Sequence, residues 1–289
     1  MSDINIFTRT IYGSELQTAL ALGLPYEIAA NTTLNEKFGI QAGAALGASD
    51  RPSIHYFAIG CGGHRSITGA EGIPYTSPIN HRASDAALFK HMPFVLRRTN
   101  NDLTVTERAN YALRRLESHG GLDYYAYYLK RIDLSTVTPS MEYTVTDNGV
   151  ATTNPFVPTS SNLNPVATDL SNTEVITTAG NFLSVSAAVP LSFSEQDVVE
   201  FKNVATILYG SELYAIISEI AVCSGVDRTV QAQSISGNAF AFTEAVGVQI
   251  VTHVTSYYSV GFTNKGFDFT MDLGATEAMF TLNDVTSGN

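Results

Sequence analysis

The residues whose types and spacing suit chemistry gather in one stretch of the chain. Gly60-Cys61-Gly62-Gly63-His64 is a glycine-rich run of the kind that can cradle a phosphate. It lacks the Gly-Lys-Ser/Thr ending that supplies the phosphate lysine and the metal-binding hydroxyl, and it is not a GxGxxG loop leading into a helix. It reads instead as a tight, irregular turn whose glycines supply positive φ. Five of the six histidines, His55, His64, His81, His91 and His119, lie between residues 55 and 119, with Cys61 among them. The spacing His55-x5-Cys61-x2-His64 matches no compact zinc pattern, so no metal is expected. Cys61 and His64 can be drawn as a nucleophile and base, but nearness in sequence does not build a dyad. There is no Gly-x-Ser-x-Gly elbow and no His-Glu-x-x-His helix. The carboxylates of the second half form no glycosidase-like pair. The expectation is a chain that is not an enzyme and carries no cofactor. The rival, a zinc-dependent or cysteine hydrolase, requires Cys61, His64 and a further histidine to converge.

A second group has the chemistry of contact. Arg97, Arg98, Arg114, Arg115 and Arg131 can clamp a phosphate, but pairing with carboxylates of a neighbouring subunit is the favoured use. Residues 122–132 form a strand dense in tyrosine, and neighbours on a strand point to opposite faces. Tyr124, Tyr125, Tyr127 and Tyr128 therefore put rings on both faces, which must be covered by the chain's own domain or by another subunit. These four tyrosines, with Arg97, Arg98, Arg114 and Arg115, are the candidate subunit-interface residues.

The elements that position these residues read as α+β. A helical N-terminal region (1–50) has Ser14 capping a helix over 15–22, and Pro25 opening another that runs to Phe38. A mixed, basic domain (51–153) begins with a strand at 54–59, then the glycine loop, a short helix from Ser84 to His91 and an extended 93–97. Thr104 and Glu107 form a capping box for a helix to Ser118, ended by His119-Gly120-Gly121. After the tyrosine strand comes a hairpin, 142–146 with 150–153, across Asp147-Asn148-Gly149. Residues 154–172 hold three prolines among Ser, Thr and Asn and read as a linker or arm. A strand-rich, acidic domain (173–289) surrounds one helix over 195–208, opened by Ser194 with Asp197. Its strands are expected near 173–178, 182–189, 214–223, 226–232, 245–258 and 267–272. Tyr-Gly-Ser-Glu-Leu occurs at 12–16 and again at 209–213, as a shared local device such as a helix start or as coincidence.

Composition narrows the class. Of 289 residues only 15% are charged, while 44% are hydrophobic and Trp is absent. A weakly charged Thr/Ser/Asn surface suits faces that end against other subunits, because burying charge costs more than burying hydroxyls; an extracellular β protein would look the same. The net charge of −11 is uneven, at +2 over 1–131 and −13 over 132–289. Such polarity can attract copies head to tail, or simply mark two domains. The acidic half makes specific nucleic-acid binding a poor expectation. Two cysteines, Cys61 and Cys223, exclude a disulfide scaffold. No signal peptide and no run of 18 apolar residues is visible, so a soluble chain made in a cytoplasm is expected, with no membrane.

Four blocks carry a resemblance: IGCGGHRSITGAEGIPYTSPINHRASDAALFKHMPFVLR (59–97), DLTVTERANYALRRLE (102–117), YYAYYLKRIDL (124–134) and YAIISEIAVCSGVDR (214–228). Together they resemble virion structural proteins of large contractile-tailed bacteriophages. The resemblance implies a ring-forming component of the virion, assembled in the bacterial host cytoplasm. It would act with copies of itself and with tail tube, sheath, baseplate or neck subunits. The tail tube–baseplate junction is the favoured position, and the neck or collar is the alternative. A glycan-binding fibre or receptor-recognition module is the alternative from another class.

Overall fold

The computed structural model describes residues 5–41, 45–147, 149–160, 174–177, 181–233, 237, 239–279 and 281–284. In chain order the first elements are β1 (Ile6–Arg9), α1 (Ile11–Leu22), α2 (Leu34–Phe38), β2 (Ser53–Gly60), β3 (His64–Thr68) and β4 (Pro74–Pro78). There follow β5 (His91–Met92), β6 (Val95–Arg98), α3 (Val105–Arg108), β7 (Tyr111–His119), β8 (Leu122–Arg131), β9 (Ser140–Asp147) and β10 (Val150–Pro155). The remainder is β11 (Glu174–Thr177), β12 (Phe182–Phe193), α4 (Glu195–Tyr209), a 3-10 turn (Glu212–Tyr214), β13 (Ile216–Gln233), β14 (Ala239–Ser259), α5 (Val260–Thr263), β15 (Phe267–Ala278) and β16 (Thr281–Asp284).

The fold is thus dominated by antiparallel sheet with five short helices among the described residues, and the expectation of an α+β fold with a helical N-terminal region is corrected. Three expected helices give way, each because its backbone or side chains are claimed elsewhere. Residues 24–33 stay irregular because their side chains tie to β14. The Tyr26 hydroxyl donates to Gln249 Oε1 (2.6 Å), and Gln249 Nε2 donates to Thr32 Oγ1 (2.7 Å). Only then does Thr33, in a capping box with Glu36, open the five-residue α2. There Asn35 acts as a strand mimic: Nδ2 donates to Ala245 O (2.8 Å) and Oδ1 accepts from Val248 N (2.9 Å). The helix expected from Ser84 fails because the amides of Leu88, Phe89 and Lys90 donate to side chains.

The third correction is the helix expected over 104–118. Its capping box is present, yet α3 lasts four residues before the chain turns into β7. Gly120 (φ 58°) and Gly121 (φ 75°) form a two-residue hairpin turn joining β7 to β8, with His119 opposite Leu122. Tyr111, Ala112 and Leu113 are buried in this strand. Burying a strand against a tyrosine-rich partner outweighs a capping box worth about 1 kcal/mol.

The chain divides into two compact units, residues 1–133 with 192–268, and residues 134–191 with 269–289. This interleaved division differs from the four consecutive segments read from the sequence. The first unit holds an eight-stranded sheet in the order β1-β14-β13-β2-β8-β6, with β5 also on β2 and β7 also on β8. Its core includes Tyr56, Phe57, Met92, Phe94, Leu113, Tyr127, Phe193 and Phe201, all fully buried. The period-2 face expected at Val248, Ile250, Thr252 and Val254 is buried, and so is the opposite face, Gln249, Val251 and His253. The second unit has a four-stranded sheet, β10-β9-β12-β15, and a two-stranded pair, β11-β16. Its hairpin has Asp147 opposite Val150 with Gly149 at φ 79°, as the sequence predicts. Residues 161–172 of the expected linker lie outside the described residues.

Part of the charge polarity of the sequence is met by ion pairs within the first unit. Arg97 Nε donates to Glu200 Oε2 (3.0 Å), Arg131 pairs with Asp227 (2.8 Å), and Lys130 pairs with Asp197. Each joins the basic stretch to the acidic half of the same chain.

Candidate functional site around Glu219

The glycine loop does cradle an anion, and the anion is the chain's own. Glu219 sits on β13 opposite Gly60 of β2 and is completely buried. Its Oε1 accepts from the backbone N–H groups of Gly62 (2.6 Å) and Lys90 (3.1 Å). Its Oε2 accepts from Phe89 N (2.7 Å) and faces His81 Nε2 at 2.9 Å. Ser218 Oγ accepts from Gly63 N (3.0 Å) beside it. A buried charge is tolerated only when hydrogen bonds replace its water, and here four donors do so.

The glycines are required for closeness. Gly60, Gly62 and Gly63 do not have positive φ, which corrects the turn reading. A Cβ on Gly60 would meet Lys90 O at 2.6 Å, and one on Gly62 would meet Phe89 Cβ at 2.7 Å; one on Gly63 would strike Ser218 O. Only bare backbone lets these amides reach the carboxylate.

His81 is held at both ring nitrogens, since Nδ1 faces Asp85 Oδ2 at 3.4 Å. Its ring lies between Phe89 (centroids 4.1 Å, 14° between planes) and His253 (3.9 Å, 10°). His253 Nε2 meets Asp85 O at 3.0 Å, while its buried Nδ1 has no partner among the described residues. Burial pushes His253 down to about 4 and, with the nearby Lys37 charge, His91 down to about 3. Both rings are therefore neutral near pH 7.

Next to this knot lies a cleft of about 440 Å³ lined by Cys61, His64, Lys90, Tyr209, Tyr214 and Ile216. Burial raises the Cys61 thiol, with Lys90 opposing. The hydrogen bond with Tyr209 raises Lys90, whose ammonium lies 4.4 Å from the Tyr209 ring centre. Burial lowers His64. The thiol is thus protonated and the amine charged, so neither is a prepared nucleophile. Among the described residues no group of three or more His, Cys, Asp or Glu is arranged to hold a metal ion. Cys61 and His64 do share this cleft, but His81, His91 and His253 belong to the interior.

The candidate interface residues divide by burial. Tyr124, Tyr125, Tyr127 and Tyr128 are all buried within the first unit and present little surface to another subunit. Two of their hydroxyls are tied inward, Tyr127 to Asp102 (2.6 Å) and Tyr128 to Glu117 (2.6 Å). Arg114 pairs with Asp102 (2.7 Å) and stacks over Tyr125 (3.4 Å); Arg97 is committed to Glu200. Arg98, over Tyr124 at 5.4 Å, and Arg115, 3.7 Å from Glu117, remain exposed.

Sequence reasoning missed Glu219 and His253. Glu219 lies between Ile217 and Ala221 in a strand of apolar residues, which was the available signal: a lone carboxylate there must be buried and paired. No curated protein and no solved structure matches the chain. The model of a family of unknown function, DUF7208, matches residues 1–288. With the match running nearly end to end, the chain belongs to that family, DUF7208.

Proposed function

We propose that this chain is a non-enzymatic structural subunit of a tailed-phage virion. It forms a ring with its own copies at the tail tube–baseplate junction. The four sequence blocks that resemble contractile-phage virion proteins support this reading, and the surface of α1 carries it. That helix buries Gly13, Leu16 and Ala19. It nevertheless exposes Ile11 (58%), Leu20 (42%) and Leu22 (66%), and Leu24 beyond it is 50% exposed. Glu15 is its one charged residue. An apolar surface on both sides of a helix is stable in water only at a cost of about 25 cal/mol per Å², which a neighbouring subunit removes.

The test is the content and image of intact particles from a phage that encodes the chain. Mass spectrometry of gradient-purified particles should find it in stoichiometric amounts, and antibody labelling should place it at the distal end of the tail. Label beneath the head instead would move it to the neck. Particles lacking the chain would overturn the proposal. Leu20→Asp with Leu22→Asp should block incorporation while leaving the purified chain folded.

A further inference from the structure

We infer that the cleft beside the glycine loop is a binding site for a carboxylate borne on an apolar stem. The inference stands whether or not the chain is a virion subunit. Lys90 carries the only full positive charge on the cleft wall, and no carboxylate lies within ion-pair distance of it among the described residues. Glu219, which lies close by, is saturated by its own donors. The cation is held in place over the Tyr209 ring, so an incoming anion meets a fixed charge.

His64 lines the same cleft. His64 Nδ1 is buried and has no partner among the described residues, and its ring stands edge-on to Tyr257 (5.0 Å, 82°). A buried polar atom without a partner is costly unless a ligand or water supplies one. Tyr214 and Ile216 provide an apolar wall, and Leu213 and Tyr214 are more than half exposed at this end of the fold. A volume of about 440 Å³ falls within the usual range for small-ligand sites. The raised Lys90, protonated across the physiological range, favours anion capture over covalent chemistry.

The carboxylate has two possible sources, a free small acid or an acidic side chain of a second copy. The second unit suits the latter, since it holds seven Asp and Glu and no Lys or Arg. Cys61 gives the readout, because it lines the cleft while Cys223 is fully buried and serves as the internal control. The rate of Cys61 alkylation by iodoacetamide is measured with phenylacetate and with the neutral 2-phenylethanol. Phenylacetate should slow the reaction saturably, and the alcohol should not. Lys90→Met, which keeps the backbone N–H to Glu219, should weaken protection at least about tenfold, as loss of a charge-assisted contact does. Lys90→Arg should retain it. Alkylation of Cys223 would reveal a misfolded variant. Sedimentation of wild type and Lys90→Met then separates the sources. Oligomer lost in the variant assigns the carboxylate to a second copy, and unchanged mass with lost protection assigns it to a free acid. Cys61 reactivity indifferent to phenylacetate or to Lys90→Met, with unchanged mass, overturns the inference.

Discussion

The Glu219 knot and the Lys90 cleft share a loop but treat their charges in opposite ways. In the knot an anion lies in the interior with four donors around it, and the neutral His253 ring stacks on His81 beside it. In the cleft a cation faces open volume with a tyrosine ring behind it. Residues 61–64 and 88–90 serve both, amides on one side and side chains on the other. A satisfied buried charge is architecture, whereas an unsatisfied one is available for binding.

The sharpest way to break this contrast is to remove the anion. Glu219→Ala should cost about 3–5 kcal/mol, because several buried amides lose their acceptor at once. Glu219→Gln should cost less, since one oxygen still accepts. Urea midpoints at pH 7.5 measure both, and a loss below about 1 kcal/mol for the alanine variant would show that the knot holds little together. Gly63→Ala, which forces a methyl onto Ser218 O, should cost about 1–3 kcal/mol by overpacking.

Acid should act on the knot next. An unfolded histidine takes a proton near pH 6.5, but folded His253 does so only near 4 and His91 near 3. Between those values the unfolded chain binds more protons, so acidification favours unfolding. The stability these rings contribute is complete above about pH 6.5 and drains away towards pH 4 and 3. Lowering the pH from 7.5 to 5.0 should therefore remove about 2 kcal/mol for each ring, about 4 kcal/mol together, and equal urea midpoints at the two values would contradict it. The smallest effect belongs to the cleft: Tyr214→Ala, at a half-exposed wall, should shift stability by no more than about 0.5 kcal/mol.

Much was legible where a local signal and the tertiary demand agree. Ser194 and Asp197 form the expected capping box and α4 runs 15 residues, because its Val198, Phe201 and Val204 meet a waiting core. The Asn-Gly hairpin and the tyrosine-rich strand are likewise where the sequence puts them. The glycine run reads from its sequence as a turn at positive φ, whereas it cradles a carboxylate that lies 157 positions away in the chain. No spacing rule reaches that far.

Tyr-Gly-Ser-Glu-Leu shows the limit within five residues. At 12–16 it lies inside α1, with Gly13 pressed against Val251; at 209–213 the same letters end α4, with Gly210 at φ 79° and Ser211 capping a 3-10 turn. The caps, the turns and the period of the best strands follow from local sequence, because each depends on neighbours a few residues away. Tertiary structure alone decided which capped segments stay helical, which charges pair inside one chain and which cation is left open. Those outcomes turn on desolvation and packing between residues far apart in the chain, and the balance of such terms exceeds the roughly 1 kcal/mol that a local signal supplies.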